Sequence, residues 1–201
     1  FNMIGKNINI DADASGSRLE GTENLKKITT GDSVQLIKKN EQGASGVLNV
    51  LMICAINNLP SSADKSEGFF RRFMLIPFKQ HFYKNEAEKK QGSLPVDFNL
   101  EDDILKNEMD IVLAWALNGL EVIVRNNYQP SYSKSVHEEL LSYRKTTDSV
   151  FDFIEDNKNG NYVNDIKAKH LYDYYVEWCK DNNHEPMKST GFGRGMKKYY
   201  N

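Results

Sequence analysis

Residues 47–78 read VLNVLMICAINNLPSSADKSEGFFRRFMLIPF, and the rest of the chain is arranged around them. The apolar run of residues 47–56 is long enough for a buried strand. It stops at Asn57-Asn58 and Leu59-Pro60. A loop of Ser, Asp and Lys leads to Arg71-Arg72, and a second apolar run fills residues 73–78. An amide at the end of a buried strand, with two arginines beyond a loop, suits a site that handles phosphate. The amide can orient a water, and a guanidinium takes two phosphate oxygens at once.

Upstream, Ile8 and Ile10 alternate with Asn7 and Asn9 and lead to Asp11 and Asp13, a short strand ending in acids. In nucleotide hydrolases of the P-loop type an acid at this place holds Mg²⁺ through water and helps position the attacking water. Taken alone, two such acids read more simply as a surface Asx turn. Residues 17–29 predict a helix with Leu19, Leu25 and Ile28 on one face. Gly31-Asp32 is a turn, residues 34–37 a strand and residues 40–46 a loop, so residues 34–51 predict a β-hairpin with Lys38 and Lys39 near its tip.

These landmarks resemble the motor core of the superfamily 3 DNA helicases, in the branch formed by phage, plasmid and poxvirus primase-helicases. Members carry Gly-Lys, a short strand and an acid, then an apolar strand, Asn-x-x-Pro, a loop, Arg-Arg and Pro-Phe. Here these are Gly5-Lys6, Asp13, Asn57, Pro60, Arg71, Arg72, Pro77 and Phe78. The resemblance implies an α/β fold: a partial AAA+ P-loop-type core without its phosphate loop, a helical segment and a C-terminal winged-helix-like domain. The expected boundaries are residues 1–80, 81–146 and 147–201. It also implies site residues. Asp13, with Asp11, would hold Mg²⁺ and polarise water, although Ala12 separates them and leaves open which one is the ligand. Asn57 would sense the γ-phosphate of ATP, and Arg72 or Arg71 would reach a neighbouring subunit as an arginine finger. Lys38 and Lys39 would grip the backbone of single-stranded DNA within a ring. No Gly-x-x-x-x-Gly-Lys-Ser/Thr occurs in these residues. In the family that loop lies before the acidic strand, so we expect it upstream of Phe1 and expect these residues alone not to hydrolyse ATP.

Residues 79–98 are polar and irregular. Asn99 is the expected N-cap of a helix over residues 100–125, apolar on two faces and therefore mostly buried, with Glu108, Ile111, Val112, Trp115 and Gly119 assigned to packing. A further helix covers residues 133–145. From Asp148 onward aromatics accumulate, and helices are expected near residues 150–157, 166–182 and 190–200. Two helices, a short turn and a basic helix are the order of a helix-turn-helix or winged-helix module. Its aromatic stripe, including Tyr162, is expected to be core.

The 201 residues carry a net charge of −2, so nothing global signals nucleic acid. The basic residues are local: Lys26, Lys27, Lys38 and Lys39 early, and Lys188, Arg194, Lys197 and Lys198 in a tail free of acids after Pro186. Such patches suit a nucleic-acid backbone, and each one alone also suits a solvated face. Gly191, Gly193 and Gly195 follow no strand and do not read as a phosphate loop. Cys179 and His184 lack a second ligand pair. Cys54 reads as a small hydrophobe in the buried strand. The two cysteines are expected to be reduced thiols in a bacterial host's cytoplasm, with neither a membrane span nor a signal peptide expected.

Together these expectations describe the C-terminal part of an ATP-dependent, hexameric DNA helicase of a phage or mobile element. It would bind ATP, Mg²⁺ and single- and double-stranded DNA. A non-enzymatic module that binds a replication origin and a purely structural oligomerisation fragment are the competing readings.

Overall fold

The computed structural model describes residues 3–14, 16, 19, 21–36, 43–158 and 166–199, and among them the chain is mixed α/β, with eight α-helices and six short strands. It divides into two units, one of Phe1–Met74 with Glu138–Asn201, the other of Leu75–His137.

In the first unit the expected acidic strand is β1 (Ile8–Asp11). Helix α1 (Thr22–Thr30) follows; the expected start of that helix, at residues 17, 18 and 20, lies outside the described residues. Gly21 and Gly31 flank α1 with φ of 65° and 73°, the left-handed region that glycine enters without cost. The expected hairpin is present as β2 (Ser33–Leu36) and β3 (Ala44–Val47), antiparallel with Ser33 opposite Val47 and Leu36 opposite Ala44. Its tip, with Lys38 and Lys39, lies outside the described residues.

The run of residues 47–56 is not one strand. Val47 ends β3, residues 48–50 link, and β4 (Leu51–Cys54) pairs in parallel with β1, Ile8 opposite Leu51 and Asp11 opposite Cys54. Nor is β4 buried. Leu51 is 60% and Ile53 45% exposed, and Cys54 is exposed too. The cause is that β1 is the one strand flanking β4 among the described residues. Hydrophobicity called for a covered strand; these elements do not cover it. Helix α2 (Glu67–Phe70) closes the stretch, with Phe69 and Phe70 buried.

In the second unit β5 (Phe82–Tyr83) and β6 (Leu94–Pro95) form a minimal parallel pair. The expected long helix is two, α3 (Leu100–Asn107) and α4 (Met109–Arg125), broken where Glu108 leaves helical geometry at φ −129°, ψ 12°. Asn99 does not cap α3 through its side chain; its own backbone N–H donates instead to Asp97 Oδ1 at 2.9 Å. The expected burial also fails, since α4 has no buried residue and Trp115 is 76% exposed.

Helix α5 (Lys134–Thr147) precedes a C-terminal trio in the first unit, α6 (Ser149–Asn157), α7 (Ala168–Asp181) and α8 (Ser189–Tyr199). Here the aromatic stripe is core, as its helical spacing predicts. Val150, Phe153, Ile154, Tyr175, Trp178, Cys179 and Phe192 form one buried cluster, and the Tyr175 and Phe192 rings stack 4.4 Å apart. Tyr162 lies outside the described residues. Asp148 starts α6 by accepting from the Val150 and Phe151 N–H groups at 3.2 and 3.3 Å.

Candidate functional site

The parallel register of β1 and β4 continues beyond the strands. The Ala55 N–H donates to the Asp11 carbonyl at 2.8 Å, and the Ala14 N–H donates to the Ala55 carbonyl at 3.0 Å. Residues 11–14 and 54–57 therefore leave the pair side by side. A Cβ on Gly16 would lie 2.5 Å from the Asn58 carbonyl oxygen, so only glycine lets the two segments run this close. Asp11, Asp13 and Asn57 are all exposed at this carboxyl end of the pair, the end at which open α/β sheets bind ligands. No described side chain bonds either carboxylate. Carboxylate oxygens are the donors Mg²⁺ takes, with water and phosphate oxygens completing the shell, so the two acids fit that ion. No group of three His, Cys, Asp or Glu among the described residues forms a richer metal site. Partial burial, and then the Asp11 charge, push the Cys54 thiol up, which keeps it protonated and a poor nucleophile.

The two arginines are held differently. Arg72 is half-buried; its Nε donates to Thr29 Oγ1 at 2.9 Å and its Nη1 to the Gly68 carbonyl. It thereby ties the end of α1 to α2. Arg71 is exposed, and its side chain has no bonded partner among the described residues. The rings beneath hold α2 down: Phe69 packs edge-on to Phe70 and Phe73, and Phe70 to Tyr143. The Tyr143 hydroxyl donates to the Pro60 carbonyl at 2.6 Å, and Arg144 bridges Glu67 at 2.8 Å while lying 4.0 Å over the Phe151 ring.

Sequence reading passed over Asp64. Its carboxylate accepts from the Lys26 ammonium, from Thr22 Oγ1 at 3.0 Å and from the Ser66 N–H at 3.0 Å. Burial alone would raise this carboxyl, but these donors outweigh it and hold the group well below the usual carboxylate range. The signal lay in the spacing Ser62-x-Asp64-x-Ser66, the composition of an Asx turn leading into a helix cap. Because its folded value lies below its unfolded one, Asp64 contributes its full stability above an unfolded pKa of about 3.9 and loses it as pH falls toward the folded value. Between pH 5 and pH 2 the urea midpoint should therefore fall more for the native protein than for Asp64→Asn.

The basic residues separate into two groups. Lys26 is engaged by Asp64 and donates to Ser66 Oγ at 3.2 Å, and Lys198 turns to the Lys65 carbonyl and the Tyr199 hydroxyl. Burial lowers the Lys198 ammonium's pKa. Lys27, Lys188, Arg194 and Lys197 are exposed. On α8 the inward residues Phe192, Gly195, Met196 and Tyr199 leave Thr190, Gly193, Arg194 and Lys197 as the outward stripe, the i, i+3, i+4, i+7 pattern of one helix face. A Cβ at Gly195 would meet Val150 Cγ1 at 2.9 Å, so glycine sets how closely α8 lies on α6.

This helical trio carries the likeness to known proteins. Residues 145–201 match the Poxvirus D5 protein-like family. That family is associated with superfamily 3 primase-helicases, and the match relates this part of the chain to DNA replication proteins. No curated protein matches the chain. Within the D5-like segment His184 is engaged by its neighbours. Its Nε2 lies 2.9 Å from Asp152 Oδ2 and its ring stacks on Trp178. Cys179 is buried, and burial raises its thiol pKa. The segment's buried polar anchor is Tyr175, whose hydroxyl pairs with Ser149 Oγ at 2.7 Å and accepts from the Met187 N–H at 3.1 Å. Burial pushes it up to about 12. Tyr175→Phe leaves both partners unpaired in the core and should cost about 1–3 kcal/mol in denaturant unfolding. No helix among the described residues is long and apolar enough to cross a membrane.

Proposed function

We propose that the chain is the C-terminal part of an ATP-driven replicative DNA helicase of the superfamily 3 primase-helicase kind. The observation that carries this is the parallel pairing of β1 with β4, after which the segments that bear the exposed acids and the exposed Asn57 leave from the same end of the pair. The D5-like match over residues 145–201 supports the same reading independently. So does the bare apolar face of the pair. Parallel strands belong to sheets covered on both sides, and Ile8, Ile10, Leu51 and Ile53 are open.

Asp13, with Asp11, would hold Mg²⁺, and its carboxylate would accept a hydrogen bond from the attacking water. Asn57 donates from its amide to the γ-phosphate and orients that water from the other side. The bound ion supplies charge neutralisation at the β- and γ-phosphates. The phosphate loop that cradles the nucleotide is not among these 201 residues, so these side chains act together with such a loop. Arg71 supplies the trans guanidinium in a ring, a hexamer by resemblance, in which each site borrows its neighbour's arginine. Arg194 and Lys197 on the outward stripe of α8, with Lys188 and Lys27, contact DNA phosphates and confer affinity without base specificity.

The test is DNA-stimulated ATP hydrolysis by the full-length native protein. Asp13→Asn and Asn57→Ala should each remove turnover while nucleotide still binds. Turnover unchanged in both variants overturns the proposal. Binding that follows one origin sequence and has no ATPase behind it would favour the non-enzymatic module instead.

A further inference from the structure

Asp64 occupies a place that neither the acids nor the arginines account for. It lies between Asn57 and Arg71, in the loop that joins the strand end to α2. Each of its contacts controls a different part of that loop. Lys26 and Thr22 come from α1, so the carboxylate pins the loop to a helix outside it. Its other oxygen takes the Ser66 N–H, which sets the residue that caps α2. Ser66 Oγ in turn accepts from the Phe69 N–H at 3.2 Å and from Lys26. Ser62 Oγ receives the Asp64 N–H at 3.1 Å and completes the turn. Helix α2 is only four residues long, and Arg71 is the residue at its C-terminal cap. The buried Phe69 and Phe70 rings seat this short helix and Arg72 ties it to α1, and the side chains at its start set the rest of its direction. One end is held by the Asp64 and Lys26 pair; Glu67, in the first turn, is held by Arg144.

We propose that Asp64, paired with Lys26, is a positioning residue that sets the angle at which α2 presents Arg71 to the neighbouring nucleotide. This rests on the motor reading above. Asp64 touches neither nucleotide nor metal; it acts through the Ser66 cap and the orientation of α2. Lys26 accordingly serves this ion pair, not DNA. The ion pair is partly buried, with the two side chains 30% and 18% exposed, so the attraction is less screened by solvent than at an open surface. A guanidinium displaced by about 1 Å from a transferring phosphate forfeits on the order of 10²-fold in rate.

The experiment is steady-state ATP hydrolysis by the full-length native protein and four variants: Arg71→Ala, Asp64→Asn, Lys26→Met and Asp64→Asn with Arg71→Ala. Asp64→Asn keeps the shape and an acceptor oxygen and removes the charge. Lys26→Met breaks the same pair from the opposite side and serves if Asp64→Asn melts below the assay temperature. The expected result is a kcat lowered by about 10- to 100-fold in each single-pair variant, with KM for ATP within about threefold of native. In the double variant the loss should equal that of Arg71→Ala alone, because a residue acting only through Arg71 has nothing left to position. Native kcat in both pair variants, or losses that multiply in the double variant, overturns the inference while leaving the motor reading intact. Native turnover in Arg71→Ala overturns the assignment of the finger, and Asp64's role with it.

Discussion

Arg71→Ala should lower ATP turnover of the full-length protein by about 10³-fold or more, the scale of an arginine finger's contribution to phosphoryl transfer, while leaving its melting temperature unchanged. The separation follows from where the side chain is. Arg71 is exposed and its side chain is bonded to no described residue, so trimming that side chain leaves the fold's contacts, including its backbone bond to Glu67, in place. The neighbouring arginine should behave in the opposite way. Arg72 bonds Thr29 Oγ1 and the Gly68 carbonyl, so Arg72→Ala detaches α1 from α2. That variant should lose about 1.5–3 kcal/mol of stability, the range for hydrogen bonds to a charged group. Turnover read beside thermal melting for both variants distinguishes catalyst from strap. A large loss of turnover in Arg72→Ala with an unaltered melting curve would reverse the two assignments.

The second large effect concerns the helical end. Phe153 is fully buried, and its ring meets those of Tyr174, Tyr175, Trp178 and Phe192 edge-on at 5.4–6.0 Å. Phe153→Ala removes the ring that every helix of the trio shares and should cost about 3–5 kcal/mol. Much of a domain's net stability of about 5–15 kcal/mol is then gone. Denaturant unfolding followed through Trp178 fluorescence would measure it; a loss below about 1 kcal/mol would mean that the trio does not depend on this core.

What could be read from residues alone followed the strength of the local signal. The C-terminal helices were legible because aromatic side chains recur at helical spacing on one face, and that face is the core. The hairpin was legible from Gly31-Asp32 and from the turn-forming residues between its strands. The acidic strand was legible from alternation, yet its neighbour was not chosen by alternation at all. Pairing of β1 with β4 is a long-range fact, carried by the close passage of Gly16 past Asn58. Burial was misread twice for one reason. Leu51 and Ile53 in β4, and Trp115 in α4, are apolar enough to predict a covered element, but hydrophobicity states what should be covered and not which residues do the covering. The boundary at Glu108 went unread because a single residue leaving helical geometry changes no periodicity. Within the site, the acids, the amide and the arginine pair stood out by type and order. Asp64 did not, since its role comes from a helix some forty positions earlier in the chain. The difference between Arg71 and Arg72 is likewise one of tertiary partners.

The most direct measurement is subunit mixing. Asp13→Asn and Arg71→Ala are purified separately at full length, each expected to be inactive, and then combined at varying ratios under conditions that allow exchange. If an acid and amide on one protomer work with a guanidinium from the next, some interfaces in the mixture pair an intact acid with an intact arginine, and ATP turnover returns. A mixture as inactive as its two components at every ratio, with exchange verified, would contradict a nucleotide site shared between neighbouring chains.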